Sequence, residues 1–517
     1  MLGCRRICFL LAMGICAALV AEEPVDQQAI AAIKIEGLQK SQVMDIAFQL
    51  TEVHGPRLHG TASLLAAAEW ARDQLADWGL SEVHLESWDS KVPVWNLESY
   101  SVEMTSPRYL RFNSHPVVWT PPTAGVVEGV PLVVKVRSVE DIADLRGTLK
   151  GRIVLNDAND PPVAQMAGAI ERLSDERLRA LLSAIDTGQE PGFWKEWDEW
   201  AVELEKWKEI VGFFHDEGVA ALVEPSSRAN GIVRVSYSGW EVPSENAPGF
   251  VVARDSWDMV KRLVEEGVEP ILRLESRIGI ESGAQGHNLL AEIPGTDPGI
   301  ADQIVLLGGH LDAWIGGTGA TDNAAGCAVS MEAMRILQAI DARPRRTIQI
   351  ALWDGEEFDY GGSLNYVTRH LADPKTLELR PDHAKVSGYF NLDNGTGKIR
   401  GVYLQGNEFV RPIFAAWLEP FHYLGAETLT SENTSGTDHM VFDAVGIPGF
   451  TFIQDPLTYG TVTHHTDQDV YNQLSEDDLK QAAVIMASIV YHAAMRDDPL
   501  PRKVIPTARE ENPPEAQ

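Results

Sequence analysis

The sequence predicts an α/β fold, a mixed and largely parallel sheet flanked by helices, with a β-rich domain inserted into it. Two observations carry that prediction. Past Leu289, short apolar runs alternate with helical periodicity, the pattern of parallel strands joined by crossover helices. Before that point, over 117–284, short apolar runs punctuated by Pro and Gly read as the strands of a separate unit.

In order along the chain, Arg5 and Arg6 precede an apolar run over 7–20, which ends at Ala21 before two glutamates. A basic start and an apolar stretch too short for a bilayer predict a cleaved signal over 1–21, and therefore a secreted or periplasmic protein. No later run reaches the ~18 apolar residues of a membrane span, so no stable span is expected. Residues 22–116 form the first part of the host domain. There Val43, Ile46, Ala47 and Leu50 repeat at helical spacing, as does 66–75, with Gly55-Pro56 and Gly60 as turns between them.

Within 117–284 the strand candidates are 117–119, 132–136, 153–155, 220–223, 249–252 and 271–274. A charged helical segment over about 160–215 interrupts them and sets Trp194, Trp197, Trp200 and Trp207 on one helical face. Such a stripe is either a packing surface or a lid over a cleft. Residues 285–498 return to the host domain, with strands at 304–307, 347–353, 386–392, 402–404 and 449–453. Helices are expected over 323–340, 362–370 and 477–495, and 499–517 reads as a tail.

Composition narrows the function. In the 517-residue chain, Asp and Glu number 75 against 43 Lys and Arg, a net charge of −32. That surface repels phosphate backbones and anionic lipid heads, so no nucleic acid partner is expected. Cys4, Cys8 and Cys16 all lie in the signal, which leaves Cys327 alone and rules out a disulfide within the mature chain. Its apolar, helix-like context reads as a buried small hydrophobe.

The chemistry-bearing residues stand directly after strands, where ligands bind in parallel sheets. His310 and Asp312 follow the first strand of the second half, and Asp322-Asn323 opens the next helix. Glu356-Glu357 follows the second strand, Asp393 the third, and His464-His465 stands near the end of the fold. Carboxylates gathered without a counter-charge repel each other, and imidazole with carboxylate suits zinc or a similar divalent ion. One tetrahedral site needs only three protein ligands and a water. Five candidates suggest two ions sharing a bridging carboxylate.

This constellation resembles the M28 family of co-catalytic zinc peptidases, among them secreted aminopeptidases and carboxypeptidase Q-like enzymes. The matching pieces are His310-Leu311-Asp312, Asp322-Asn323, Glu356-Glu357, Asp393 and His465-Thr466, in the family's order. The resemblance covers roughly 35–115 and 285–497, and the interruption resembles a protease-associated domain by strand pattern and position. It implies two zinc ions per chain, one held by His310 and Asp393, the other by Glu357 and His465, with Asp322 between them. It implies an unusual peptide bond at Asp322-Asn323, Asp312 orienting His310, and Glu356 as general base. His464 stands where many members have a tyrosine, and would donate to the oxyanion in its place, with His464 as the ligand kept as an alternative. Ser435-Gly436-Thr437-Asp438-His439 resembles a loop near the substrate, which makes Thr437 and Asp438 candidates for substrate binding.

The expected activity is hydrolysis of a peptide or dipeptide at a chain terminus. Family frequency favours an aminopeptidase, with a dipeptidase or carboxypeptidase Q-like enzyme as the alternative. A one-zinc glutaminyl-cyclase-like acyltransferase and an inactive binding module compete with it. Retention of all five ligand candidates and of Glu356 speaks against both. Homo-oligomerisation is left open.

Overall fold

Alternating apolar residues explain how the central sheet buries both faces. In the computed structural model, which describes residues 23–158, 170–184, 192–239 and 243–504, it has eight strands. Their order is Ser81–Asp89, Gln285–Ile293, Thr347–Trp353, Ile304–His310, Val386–Asn391, Gly449–Gln454, Ile399–Tyr403 and Thr428–Thr430. The four from Thr347–Trp353 to Gly449–Gln454 run parallel, and antiparallel pairs flank them. Leu289, Val305, Leu307 and Ile350 point to one core, while Leu290, Leu306 and Ala351 point to the other. The first core is closed by Gln27–Gln39, Ala62–Asp77, Ala325–Ala339 and Glu476–Met495. Asp26 caps the earliest of these by accepting from the Ala29 amide at 2.9 Å.

The expected α/β class holds, with local differences. The helix expected over 323–340 is regular only over Ala325–Ala339. It is preceded by a wide turn at Ala320–Ala324, in which Asp322 and Asn323 leave helical geometry and share a cis peptide bond. Residues 117–119 form no strand. Val118 makes only an isolated bridge to Tyr237, and Trp119, at φ +60°, turns the chain away.

The interrupting stretch is itself mixed. A five-stranded sheet runs Ser114–Pro116, Gly249–Val252, Ala221–Pro225, Ile153–Asn156, Leu132–Val134, and all its pairs except the first are parallel. A four-stranded antiparallel sheet packs against it through Val102, Leu272, Leu274, Phe250 and Trp257. Val94–Ser106 lies in this second sheet, paired along its length with Ile271–Glu281, although its sequence position placed it in the first part of the host.

The tryptophan stripe falls on the helix Gly192–Asp216, and each end of that helix packs on a different body. Phe193, Trp194 and Trp197 join the core beneath the central sheet, whereas Trp207, Ile210 and Phe214 join the core of the five-stranded sheet. A second tether lies at the sheet edge. Arg172 donates to Asp455 at 2.7 Å and Asp478 at 2.8 Å, and Leu178 and Leu181 pack on Ile453. The segments 1–22 and 505–517, which hold the expected signal and most of the tail, lie outside the described residues. Among the described residues no helix is long and apolar enough to cross a membrane.

Candidate metal centre

The parallel strands end together, and their ends deliver the polar residues. His310 ends its strand in register with Trp353, and Asp354, Glu356 and Glu357 follow that neighbour. Asp393 follows the Val386–Asn391 strand on the other side. Gly326 lets the helix start close to this edge, since a Cβ there would lie 2.1 Å from the Leu392 carbonyl oxygen. Asn323 uses that closeness by donating to Leu392 O at 2.9 Å and accepting from the Gly326 amide at 2.9 Å. The cis-linked turn is thereby anchored with Asp322 beside the strand ends.

Asp322 has one imidazole facing each carboxylate oxygen. His310 Nε2 lies 3.3 Å from its Oδ1 and 3.2 Å from Asp393 Oδ1. His465 Nε2 lies 3.2 Å from its Oδ2 and 3.0 Å from Glu357 Oε2. His465 itself sits at φ +58°, a left-handed conformation that is costly for a non-glycine residue and recurs at functional sites. His464 Nε2 is farther from Asp322, at 3.9 Å, and makes no contact with Glu357 among the ion pairs of the described residues. Of the two neighbouring histidines, His465 has the better ligand position.

The electrostatics of the cluster favour a bound positive charge. Burial pushes Glu357 up to about 7, helped by the nearby Asp322 carboxylate. Burial also pushes Glu356 well above the usual range, with Asp393 and Asp438 adding to it against His310. The imidazoles respond in the opposite sense. Against the effect of burial, Glu357 and Asp322 raise His465 to about 10, and Asp393 and Glu356 raise His310. Among the described residues Asp322 Oδ2 and Glu357 Oε1 are buried without a hydrogen-bond partner, so lone pairs remain for a cation. Ligand-competent atoms of His310, Asp322 and Glu357 cluster within 4.8 Å, as do those of His310, Glu356 and Asp393. The donor set therefore fits one or more divalent ions.

Asp312 is placed differently from the expectation. His310 Nδ1 lies 3.0 Å from the main-chain carbonyl of Asp312 and 3.6 Å from its carboxylate. The nearer carbonyl oxygen is the better acceptor for the ring N–H. The carboxylate instead accepts from the amides of Glu356 at 3.2 Å and Glu357 at 3.4 Å. It orients the two glutamates through their backbone.

Two supporting residues were not singled out as site residues from the sequence. Asp469 accepts from the Thr321 amide and hydroxyl at 2.7 and 2.8 Å, and from the Asp322 amide at 3.2 Å. Its place in His465-Thr466-x-x-Asp469 was the available signal. Arg57 is fully buried and donates to the carbonyls of Leu50, Leu311, Thr318 and Gly319, pinning the loop that leads into Asp322. No local pattern marks it. Cys327 is buried, with its thiol pushed up to about 12 by burial, and donates to the His310 carbonyl.

A cleft of about 440 Å³ opens over this cluster. Glu356, Glu357 and Asp393 line it together with Tyr459, His464, Trp197, Trp200 and Tyr237. Burial pushes His464 down to about 4, so its ring is neutral near pH 7 and retains one N–H to donate. The loop expected to meet substrate presents Ser435 and Gly436 to the cleft. Thr437 and Asp438 lie buried behind them, and Thr437 accepts from Asn391 at 2.7 Å. The Thr437 hydroxyl thus turns inward to the strand end and away from the cleft.

Comparison with known proteins agrees with this geometry. Residues 288–490 match the model of peptidase family M28, which spans every member of the cluster. The chain is 24% identical over 481 residues to carboxypeptidase Q of Mus musculus, covering 92% of this chain and 90% of that protein. Among solved structures, a peptidase M28 precursor from Shewanella amazonensis superposes with a TM-score of 0.68 at 22% identity, covering 93% of this chain and 98% of that one. A zinc aminopeptidase from Bacillus subtilis superposes with a TM-score of 0.58 at 17% identity, covering 88% of this chain and 95% of that one.

Proposed function

We propose, for a chain that carries an M28 peptidase domain, an exported two-zinc exopeptidase that hydrolyses short peptides. The observation that carries this reading is Asp322, whose two oxygens lie 3.3 and 3.2 Å from His310 and His465. Asp393 and Glu357 complete the two halves. With two ions bound, Asp322 would be the carboxylate they share.

Bound there, two divalent ions would polarise the scissile carbonyl and acidify an attacking water. The chain supplies the rest. Glu356 takes the proton of the water and returns it to the leaving nitrogen, a role suited to a buried carboxylate held above its usual range. Asp312 holds Glu356 and Glu357 through their amides, so that one glutamate faces His465 and the other remains available to the substrate. His464, neutral and at the cleft wall, donates to the developing oxyanion.

Two observations favour a dipeptidase or carboxypeptidase over an aminopeptidase. Relatives named carboxypeptidase Q match along nine-tenths of the chain. Arg234 also stands beside the centre, its guanidinium 3.5 Å from His465 Nδ1, where a free carboxylate would find a partner.

The test is metal analysis with kinetics on the purified protein. Two equivalents of zinc per chain, activity lost on chelation and restored by zinc, and turnover of unblocked dipeptides are expected. Full activity with one ion or none would remove the shared role of Asp322.

A further inference from the structure

Between the strand Gly449–Gln454 and His465 the chain forms a wide turn over Tyr459–Thr463. Its closing bond runs from the His464 amide to the Tyr459 carbonyl at 2.9 Å, so two residues five apart in sequence come together. Their rings lie 4.9 Å apart at 45°. Gly395, two residues after Asp393 and at φ +84°, lets the tyrosine approach that strand end, since a Cβ there would lie 3.0 Å from Tyr459 Cβ and Cγ. The interrupting lobe steadies the start of the turn. Leu457 and Glu171 exchange main-chain bonds at 2.8 and 3.1 Å.

Tyr459 lines the cleft with Asp322, Glu357, Asp393 and His464. Two other tyrosines line it, and their rings are engaged elsewhere. Tyr237 is stacked on Trp314, rings 5.1 Å apart and 8° from parallel, and Tyr360 packs on Phe193 at 6.0 Å. Burial pushes the Tyr459 phenol well above its usual range, and Asp322, Asp393 and Glu357 add to that, so its hydroxyl lies in the field of the carboxylates placed to hold metal. Among the described residues that hydroxyl has no hydrogen-bond partner. A phenol keeps its proton at neutral pH and offers one O–H. Such a donor, set beside the cluster with nothing in the chain to receive it, is suited to an acceptor that arrives with the substrate.

We infer that Tyr459 is a second donor to the oxyanion, and that with His464 it forms a two-donor site for the tetrahedral intermediate. The inference rests on the exopeptidase reading above, which gives this task to His464 alone. When water adds to the scissile carbonyl, the carbonyl oxygen gains a full negative charge. A neutral O–H and a neutral N–H meet that charge with little reorganisation, because the wide turn and the ring contact already fix both side chains. The phenol donates a hydrogen bond and keeps its proton, so no proton transfer is added to those made by Glu356.

The experiment uses the full chain loaded with zinc, with Ala-Leu as substrate and its phosphinic analogue as a tetrahedral mimic. Tyr459→Phe removes only the hydroxyl and leaves the ring against His464 and Gly395, so zinc content and Tm should match the native protein. In this variant kcat should fall by about 10²–10³-fold with KM within about threefold, and the phosphinic analogue should lose affinity by a similar factor. The same substitution made in His464→Ala separates direct from indirect action. If the phenol donates by itself, it should cost at least about tenfold more there, read in kcat or in affinity for the analogue. If it acts only by holding His464, nothing further is lost and the inference falls. A kcat within about threefold of native in Tyr459→Phe, or a loss confined to KM, would also overturn it while leaving the exopeptidase reading intact. No turnover by the native protein would remove that reading, and the oxyanion with it.

Discussion

Glu356 and Glu357 are adjacent in sequence and differ only in what surrounds them. Glu357 faces His465 at 3.0 Å, whereas Glu356 clusters with His310 and Asp393. Glu356→Gln keeps size and removes basicity, so zinc should stay while kcat falls by about 10²–10⁴-fold. Glu357→Gln should instead lower the zinc content, with activity partly recovered by excess metal. Metal analysis beside kinetics separates the two, and the reverse pattern would exchange the roles. Asp469 offers a subtler test, because it touches Asp322 only through the backbone and Thr321. Asp469→Asn should weaken metal affinity about 10- to 100-fold, read by competition with a chelator, with the fold retained in circular dichroism. Unchanged affinity would make Asp469 a turn residue alone.

At the scale of elements, the helix Gly192–Asp216 links the two bodies and lines the cleft. Trp197 and Trp200, with rings 5.9 Å apart, line it together with Glu356, Glu357 and Asp393, so the tryptophan stripe is both packing surface and cleft wall. Under the proposed function, such a wall would limit how much peptide extends beyond the scissile bond. Replacing both tryptophans with alanine should lower kcat/KM for dipeptides and raise the tetrapeptide-to-dipeptide ratio by about threefold or more. The dipeptide loss reflects lost contacts that position the substrate. An unchanged ratio in a length series would confine the stripe to packing.

For the whole molecule, the question is how the interrupting lobe depends on its host. Ser81–Asp89 and Gln285–Ile293 are paired neighbours, with Asp89 opposite Gln285, so the chain leaves and re-enters at one place. Replacing residues 94–281 with a short Gly/Ser linker should leave a hairpin and a cooperatively folding sheet. A loss of about 5–15 °C in Tm is expected from uncovering Trp314, Ile315 and Phe358, which pack with Trp95 and Trp119. Cutting at 117 and 275 should do worse, because it removes Ile271 to Glu275, the partners of residues 101–106 in Val94–Ser106, and leaves that half of the strand with an exposed edge. Thermal unfolding followed by circular dichroism compares the two, and non-cooperative melting of the first would mean that both lobes share one core.

Much of the central sheet was legible from the sequence. The strand Thr347–Trp353 was read to the residue, because a β-branched apolar run bounded by polar turns has no other stable use in a chain of this kind. The residues of the candidate metal centre were legible for a related reason. Chemistry requires particular side chains, and a parallel sheet delivers them at strand ends, so His310, Glu357 and Asp393 announce themselves by position. Strands with mixed polarity, such as Ser81–Asp89 and Gln285–Ile293, lack that local signature and are defined by their partners. Only the tertiary structure decided that Asp312 holds amides, that Arg57 pins loops from a distant part of the chain, and that Trp197 lines the cleft. These roles depend on which distant segments meet and at what distance. Residue type and local spacing determine what a side chain is able to do, and packing of the whole chain decides what it faces.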